Sequence, residues 1–401
     1  MARLWTAGAE LQTATAGIEF STIITTAPVV ETSIKRSGNA AWRISNAAAV
    51  EGFRQTHTSA QGAFFFRFYL YIVALPTAAA HIIGGARTTG ANKVTIRLTS
   101  GGALQLYNSE DAAQVGSDSS ALDLETWYRI EMTYDSTTLS STTCAALIDG
   151  VEFAAGTVDI TATPTIFGIF TTAGDATMDI IVDDLAINDT SGSFQTSWPG
   201  AEHVIALRPN GNGDNSDWGG SDGNSTDNYL LVNEVPPSST EYVEDNTANQ
   251  IDDYELEATP AAMESNAVIN VVHVGVYAAV SDATGGDPDI VLRIKSASGG
   301  TVEESSSLDC NSVTYQGPAP LPALTTYALT LYDLPGASTT AWTKADLDTA
   351  QAGVREAVTD THFARVAALW VMVGYTPGVA GGVASTVFGG DSPIFGGQVV
   401  R

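Results

Sequence analysis

The chain has 401 residues, with 45 Asp and Glu against 17 Lys and Arg, a formal net charge of −28 and only two cysteines. That excess of negative charge repels phosphate backbones and anionic lipid, which argues against direct nucleic-acid binding. Two cysteines far apart, Cys144 and Cys310, exclude a disulfide scaffold and a cysteine-built zinc site and read as free buried thiols. No apolar run approaches the ~18 residues of a membrane-spanning helix, so no membrane insertion is expected. The opening MARLWTAGAELQ lacks the basic and apolar regions of a secretory signal.

Taken in chain order, the elements are short and β-like. Phe64 to Ile72 (FFFRFYLYI) is an aromatic, β-prone run. Lys93 to Leu98 alternates polar and apolar, and Ser100-Gly101-Gly102 then turns it into Ala103 to Tyr107, a hairpin pattern. Trp127 to Tyr134 and Cys144 to Ile148 follow. Asp149-Gly150 is a turn dipeptide that sends the chain back through Val151 to Phe153. Ile166 to Thr171 and Met178 to Ile187 complete the series. Regular strands without a long helix predict an antiparallel sandwich or barrel over 1–190.

Asn188 to Gly200 is a composition break and marks the expected domain boundary. From Pro209 through Leu292 there is no Lys or Arg, yet sixteen Asp or Glu. Strands resume at 267–280, 289–295, 326–331 and 367–375, and Thr343 to Val354 reads as a short helix whose start resembles a capping box. The expectation is an all-β chain of two antiparallel β-sandwiches, the second spanning 191–377 with one short helix. A Gly-rich, extended C-terminal docking tail covers 378–401.

Constellations that carry chemistry are sparse. The five histidines form no HExxH or other chelating pair, and no Gly-x-Ser-x-Gly elbow or phosphate loop occurs. Glycosidase chemistry needs paired carboxylates about 5–9.5 Å apart, and the adjacent Asp183 and Asp184 are expected on opposite faces of a strand. The chain is therefore expected to be no enzyme. The Asn- and Gly-rich stretch 210–228 gathers Asp214, Asp217 and Asp222 as candidate Ca²⁺ ligands, because hard oxygens on a loop suit that ion. The bland reading is a solvated acidic loop. Asp179 and Asp183 form a second, weaker metal candidate. Trp218, in the same stretch, is the one tryptophan in a loop-like setting and so a candidate carbohydrate platform, against the alternative of a packing anchor. Val387-Phe388 and Ile394-Phe395, each followed by Gly-Gly, are candidate partner-binding anchors.

Two patterns resemble known proteins. Trp127–Tyr134, Ala146–Gly150 and Met178–Ile187 resemble, over about 1–190, the concanavalin A-like (laminin-G-like) jelly roll with its aromatic strand, Asp-Gly hairpin and Asp-Asp closing strand. The order of Asn188–Gly192, Ser197–Gly200, Trp342–Asp348 and Leu369–Tyr375 looks like that of structural proteins of tailed-bacteriophage virions. That resemblance implies a non-enzymatic tail, fibre or head-decoration subunit, made in the bacterial host cytoplasm. It would be a homo-oligomer docked to other virion proteins. The alternative expectation is an adhesin that recognises a host surface glycan, with or without Ca²⁺.

Overall fold

A computed structural model describes residues 3–45, 50–57, 63–77, 80–171, 177–191, 194–282, 288–317 and 341–378. Among them the chain is almost entirely antiparallel β structure. The first lobe runs β1 (Arg3–Ala7), β2 (Thr22–Ile23), β3 (Val29–Glu31), β4 (Ala41–Ser45), β5 (Gly52–Thr56), β6 (Ala63–Ala74), β7 (His81–Arg87), β8 (Asn92–Leu98), β9 (Leu104–Asn108) and β10 (Ala113–Val115). It continues with β11 (Trp127–Asp135), β12 (Thr142–Ile148), β13 (Val151–Val158), β14 (Ile166–Phe170) and β15 (Asp179–Asp189). Sheet one has the order β13-β12-β11-β6-β15-β4-β3, with β1 also on β15. Sheet two has the order β10-β9-β8-β7-β14-β5-β2. Sequential strands change sheets repeatedly, as in a jelly roll, and the two sheets close over one core.

That core follows from the period of two along each strand. On β6, Phe64, Phe66, Phe68, Leu70 and Ile72 are wholly buried between the sheets, while Phe65, Arg67, Tyr69 and Tyr71 point out of the sandwich. Phe53, Val94, Leu106 and Phe167 of sheet two meet them. Each such aromatic or aliphatic side chain contributes about 1.5–3 kcal/mol by leaving water. Cys144 and Cys310 are free and buried, and burial pushes the Cys144 thiol up to about 11.

The second lobe holds β16 (His203–Leu207), β17 (Pro209–Ser216), β18 (Gly219–Gly220), β19 (Val243–Asp245), β20 (Ile251–Leu256), β21 (Val268–Val280), β22 (Asp289–Lys295), β23 (Glu303–Glu304), β24 (Leu308–Asp309), β25 (Gln351–Glu356) and β26 (Ala364–Thr376). β16, β18, β19 and β21 assemble around β26, and β17-β20-β25-β22-β23 with β24 form the facing sheet. The helix foreseen over 343–354 is one turn, α1 (Lys344–Leu347). Its capping box is present: the Thr343 hydroxyl accepts from the Asp346 N–H and the Asp346 carboxylate accepts from the Thr343 N–H. It stops early because Gln351 already pairs with Lys295 and Glu255 as β25 begins. The strand foreseen at 326–331 lies outside the described residues.

The two lobes meet on the outer face of sheet one. Leu11, Ile18, Val204, Ala206, Ala368, Trp370 and Met372 form a small core there. Beside it lies a fully buried ionic cluster. Glu202 accepts from Arg3 at 2.9 Å and from Arg67 at 2.7 Å, with no exposure of any of the three side chains. Arg3 also donates to Asn188, and Arg67 to the Asp184 carbonyl at 2.9 Å. Burial pushes the Glu202 carboxyl upward, yet the Arg3 and Arg67 charges and hydrogen bonds prevail and hold it below the usual range.

Asp183 and Asp184 do not face apart as expected from their adjacency. A register shift between Asp183 and Ala186, with Asp184 at φ 49°, bulges β15. Both carboxylates then reach one turn: Asp183 accepts from the Arg36 N–H at 2.8 Å, and Asp184 accepts from the Ser37 hydroxyl at 2.6 Å and the Arg36 guanidinium.

Candidate functional site

The second lobe packs on the outer face of sheet one. On the outer face of sheet two, Arg54, Arg87, Arg97 and Tyr107 are half-buried and Gln114 is exposed, over a buried layer that includes Thr95, Ile166 and Phe170. Phe53, Val94, Leu106 and Phe167 point inward, so the alternate residues point out. One cross-strand row of that outer face runs Arg54–Gly168–Gly85–Thr95–Tyr107–Gln114. Arg87, beside Ile166, and Arg97, beside Gln105, flank it. Gly85 sits at φ 154°, and a Cβ there would come 2.5 Å from the Val94 carbonyl oxygen, so the position requires glycine. Gly85 and Gly168 are buried, and a Cβ on Gly168 would meet the Phe170 ring at 2.8 Å. Tyr107 rises at one side with the Arg97 guanidinium stacked 3.2 Å from its ring centroid. Arg87 lies 5.3 Å over the Phe170 ring. At the rim, Asp118 gathers the Gln105 and Gln114 amides at 3.0 and 2.6 Å. No residue of the second lobe hydrogen-bonds to these side chains among the described residues.

A second concavity lies between the lobes. It encloses about 470 Å³ and is lined by Glu10, Arg36, His203, Arg208, Glu264 and Tyr375, among others. Its cations are already spent on the fold: Arg36 pairs with Asp184, and Arg208 with Glu257 at 3.3 Å. The His203 and Tyr375 rings pack 5.4 Å apart. Burial, and then the Asp183 and Glu19 charges, push the Glu10 carboxyl well above its usual range. Burial brings the Glu19 carboxyl to about 7. These groups read as a joint between lobes.

They make stability pH-dependent with a definite sign. A carboxyl whose folded pKa is raised binds a proton on folding, and this contribution is lost as pH rises toward the folded value. Glu19 and Asp252 are raised to about 7 and Glu356 to about 8, each chiefly by burial. His57 is lowered by burial to about 4, so its opposing effect is complete above its ordinary value of 6.5. Thermal melts should therefore show stability falling between about pH 6.5 and pH 8. A midpoint that rises over that interval would show these carboxyls to be ionised in the folded protein.

The residues singled out from sequence fall elsewhere. Asp214 accepts from Lys295 at 2.6 Å, Ser298 at 2.6 Å and the Gly299 N–H at 2.6 Å, which together hold its carboxyl far below the usual range. Asp217 accepts from the Ile251 N–H, and Asp222 from Asn224 in its own turn. The stretch read as a loop is partly a strand, β17, on the edge of its sheet. No group of three His, Cys, Asp or Glu placed to hold a metal occurs among the described residues. Asp179 pairs with Arg43. Trp218 is wholly buried in the second core, its Nε1 donating to the Gln250 carbonyl at 3.1 Å, so its ring has no face for a sugar. The packing-anchor alternative is what the structure shows. Val387, Phe388, Ile394 and Phe395 lie outside the described residues.

No family model matches the chain, and no curated protein sequence matches it. Solved structures do resemble part of it. An endo-β-1,4-glucuronan lyase from the fungus Trichoderma reesei aligns over 47% of this chain and 96% of its own, at 10% identity and TM-score 0.36. An alginate lyase of polysaccharide lyase family 7 aligns over 43% and 91%, at 14% identity and TM-score 0.31. Trypanosoma rangeli sialidase aligns over 46% of this chain but only 30% of its own, at 12% identity and TM-score 0.34. These solved structures are enzymes, which stands against the expectation of a chain without enzymatic activity. Likeness at these scores carries no activity over to this chain. None of these three structures is a virion protein.

The sheet-two face was missed at the level of sequence. Its signal was present in Lys93–Leu98, where Lys93, Thr95 and Arg97 alternate with Val94, Ile96 and Leu98. Alternation shows that Arg97 points outward. It does not show that Arg54 and Arg87, distant in the chain, share its face.

Proposed function

We propose that the protein recognises carbohydrate through the outer face of sheet two. The observation that carries this reading is the half-exposed, stacked Arg97–Tyr107 pair on the outer face of sheet two, with the Gln105 and Gln114 amides beside it. A sugar ring presents an apolar face and a rim of hydroxyls. A planar aromatic surface takes the first, and forked donors with amide oxygens take the second. A sheet face is also long enough for several sugar units, since successive strands lie about 4.8 Å apart.

A glycan array run with and without a chelator tests the reading. Binding is expected in both arms, because no carboxylate cluster suited to a metal adjoins this face among the described residues. Silence in both arms would refute carbohydrate recognition, and binding that vanishes with chelator would move the site away from this face.

A further inference from the structure

We infer that the glycan bound on this face is acidic, carrying carboxylate or sulfate groups that the guanidinium groups of Arg54, Arg87 and Arg97 grip. This inference rests on the carbohydrate reading above and narrows it to a ligand class.

Acidic residues outnumber basic ones by 45 to 17, so a cation on this chain finds a carboxylate partner easily. Lys35 donates to the Asn39 carbonyl. Apart from Lys35 and these three arginines, every described Lys and Arg is ion-paired. Arg54, Arg87 and Arg97 have no carboxylate partner among the described residues. They come from three different strands, β5, β7 and β8, and share the outward face of one sheet.

Two of these guanidinium groups are also preorganised. Arg97 is stacked on Tyr107, and its Nε is buried without a hydrogen-bond partner. Arg87 lies over Phe170 and donates only a long, 3.4 Å bond to the Thr88 carbonyl. Stacking fixes the plane of a guanidinium and leaves its forked edge free, the geometry that takes an oxyanion through two parallel hydrogen bonds. The arginines also repel one another. Arg87 is depressed first by burial and then by the nearby Arg54 charge. Like charges held together without a counterion are relieved by a bound anion. The nearest carboxylate named on this face, Asp118, is held at the rim by Gln105 and Gln114.

The test titrates the full-length protein with three polymers in calorimetry at fixed ionic strength: polyglucuronate, dextran sulfate and neutral dextran. Arg54→Gln, Arg87→Gln and Arg97→Gln are titrated alongside, with Arg97→Lys to separate charge from fork. Polyglucuronate or dextran sulfate should bind at least tenfold more tightly than dextran, and the preferred polymer names the acidic group. Each Gln variant should weaken acid-polymer binding about tenfold or more, and Arg97→Lys should recover only part of it. Melting temperatures of the variants should match the parent, because these side chains hold no ion pair in the fold. Equal binding of dextran and the acidic polymers would overturn the acidic class and leave carbohydrate recognition standing. No binding to any of the three polymers, together with silence on the glycan array, would overturn both. Acid-polymer binding unchanged in all three Gln variants would overturn the role of the arginines.

Discussion

Glu202→Gln destabilises the protein by about 3–5 kcal/mol, because it leaves two buried guanidinium groups without their counter-charge. Arg3, Arg67 and Glu202 are all fully buried where the lobes meet, and the Glu202 carboxylate accepts from both arginines. Attraction within such a cluster roughly offsets the cost of removing its charges from water. Breaking it costs far more than replacing it. Chemical denaturation of Glu202→Gln and of the triple variant Arg3→Met/Arg67→Met/Glu202→Leu separates the two effects. The single change should lose several kcal/mol and the triple should regain most of that loss. A single variant as stable as the parent would mean that water or another carboxylate reaches the two arginines.

Trp218→Ala is expected to cost about 3–5 kcal/mol, the range for truncating a large buried aromatic. The ring is part of the second core with Val243, Tyr254 and Leu231, and its loss removes one of the two hydrogen bonds on the Gln250 carbonyl, the other coming from the Glu356 N–H. Below its melting temperature the variant should bind glycan as the parent does, since the sheet-two face lies in the other lobe. Loss of binding in folded Trp218→Ala protein would revive this tryptophan as a sugar platform.

Much of the fold was legible in the sequence because strands are local. The runs at 64–72, 93–98, 127–134 and 144–148 became β6, β8, β11 and β12, and Asp149 takes the left-handed conformation that its Asp-Gly turn predicts. Legibility failed where the answer depended on distant residues. The Asn-Gly-Asp stretch looked like a cation loop, yet Asp214 is consumed by Lys295, Ser298 and Gly299, more than eighty residues away. The bulge that brings Asp183 and Asp184 to one turn arises from pairing with β6, which adjacency cannot reveal.

The candidate site was less legible still. Arg54, Arg87 and Arg97 are unremarkable singly, and their meaning comes from sharing a face while nearly every other cation is paired. That property belongs to sheet order: β7 and β8 form a hairpin, but β5, β14 and β7 are neighbours only through crossovers. A net charge of −28 argued correctly about the average surface and concealed a local exception of opposite sign.

The most direct measurement is the structure of the protein crystallised with a short oligosaccharide of the acidic polymer that it prefers. Sugar rings are expected beside Tyr107, with their acidic groups on Arg54, Arg87 and Arg97. An oligosaccharide seated instead in the cleft between the lobes, against His203 and Tyr375, with the sheet-two face bare, would contradict it.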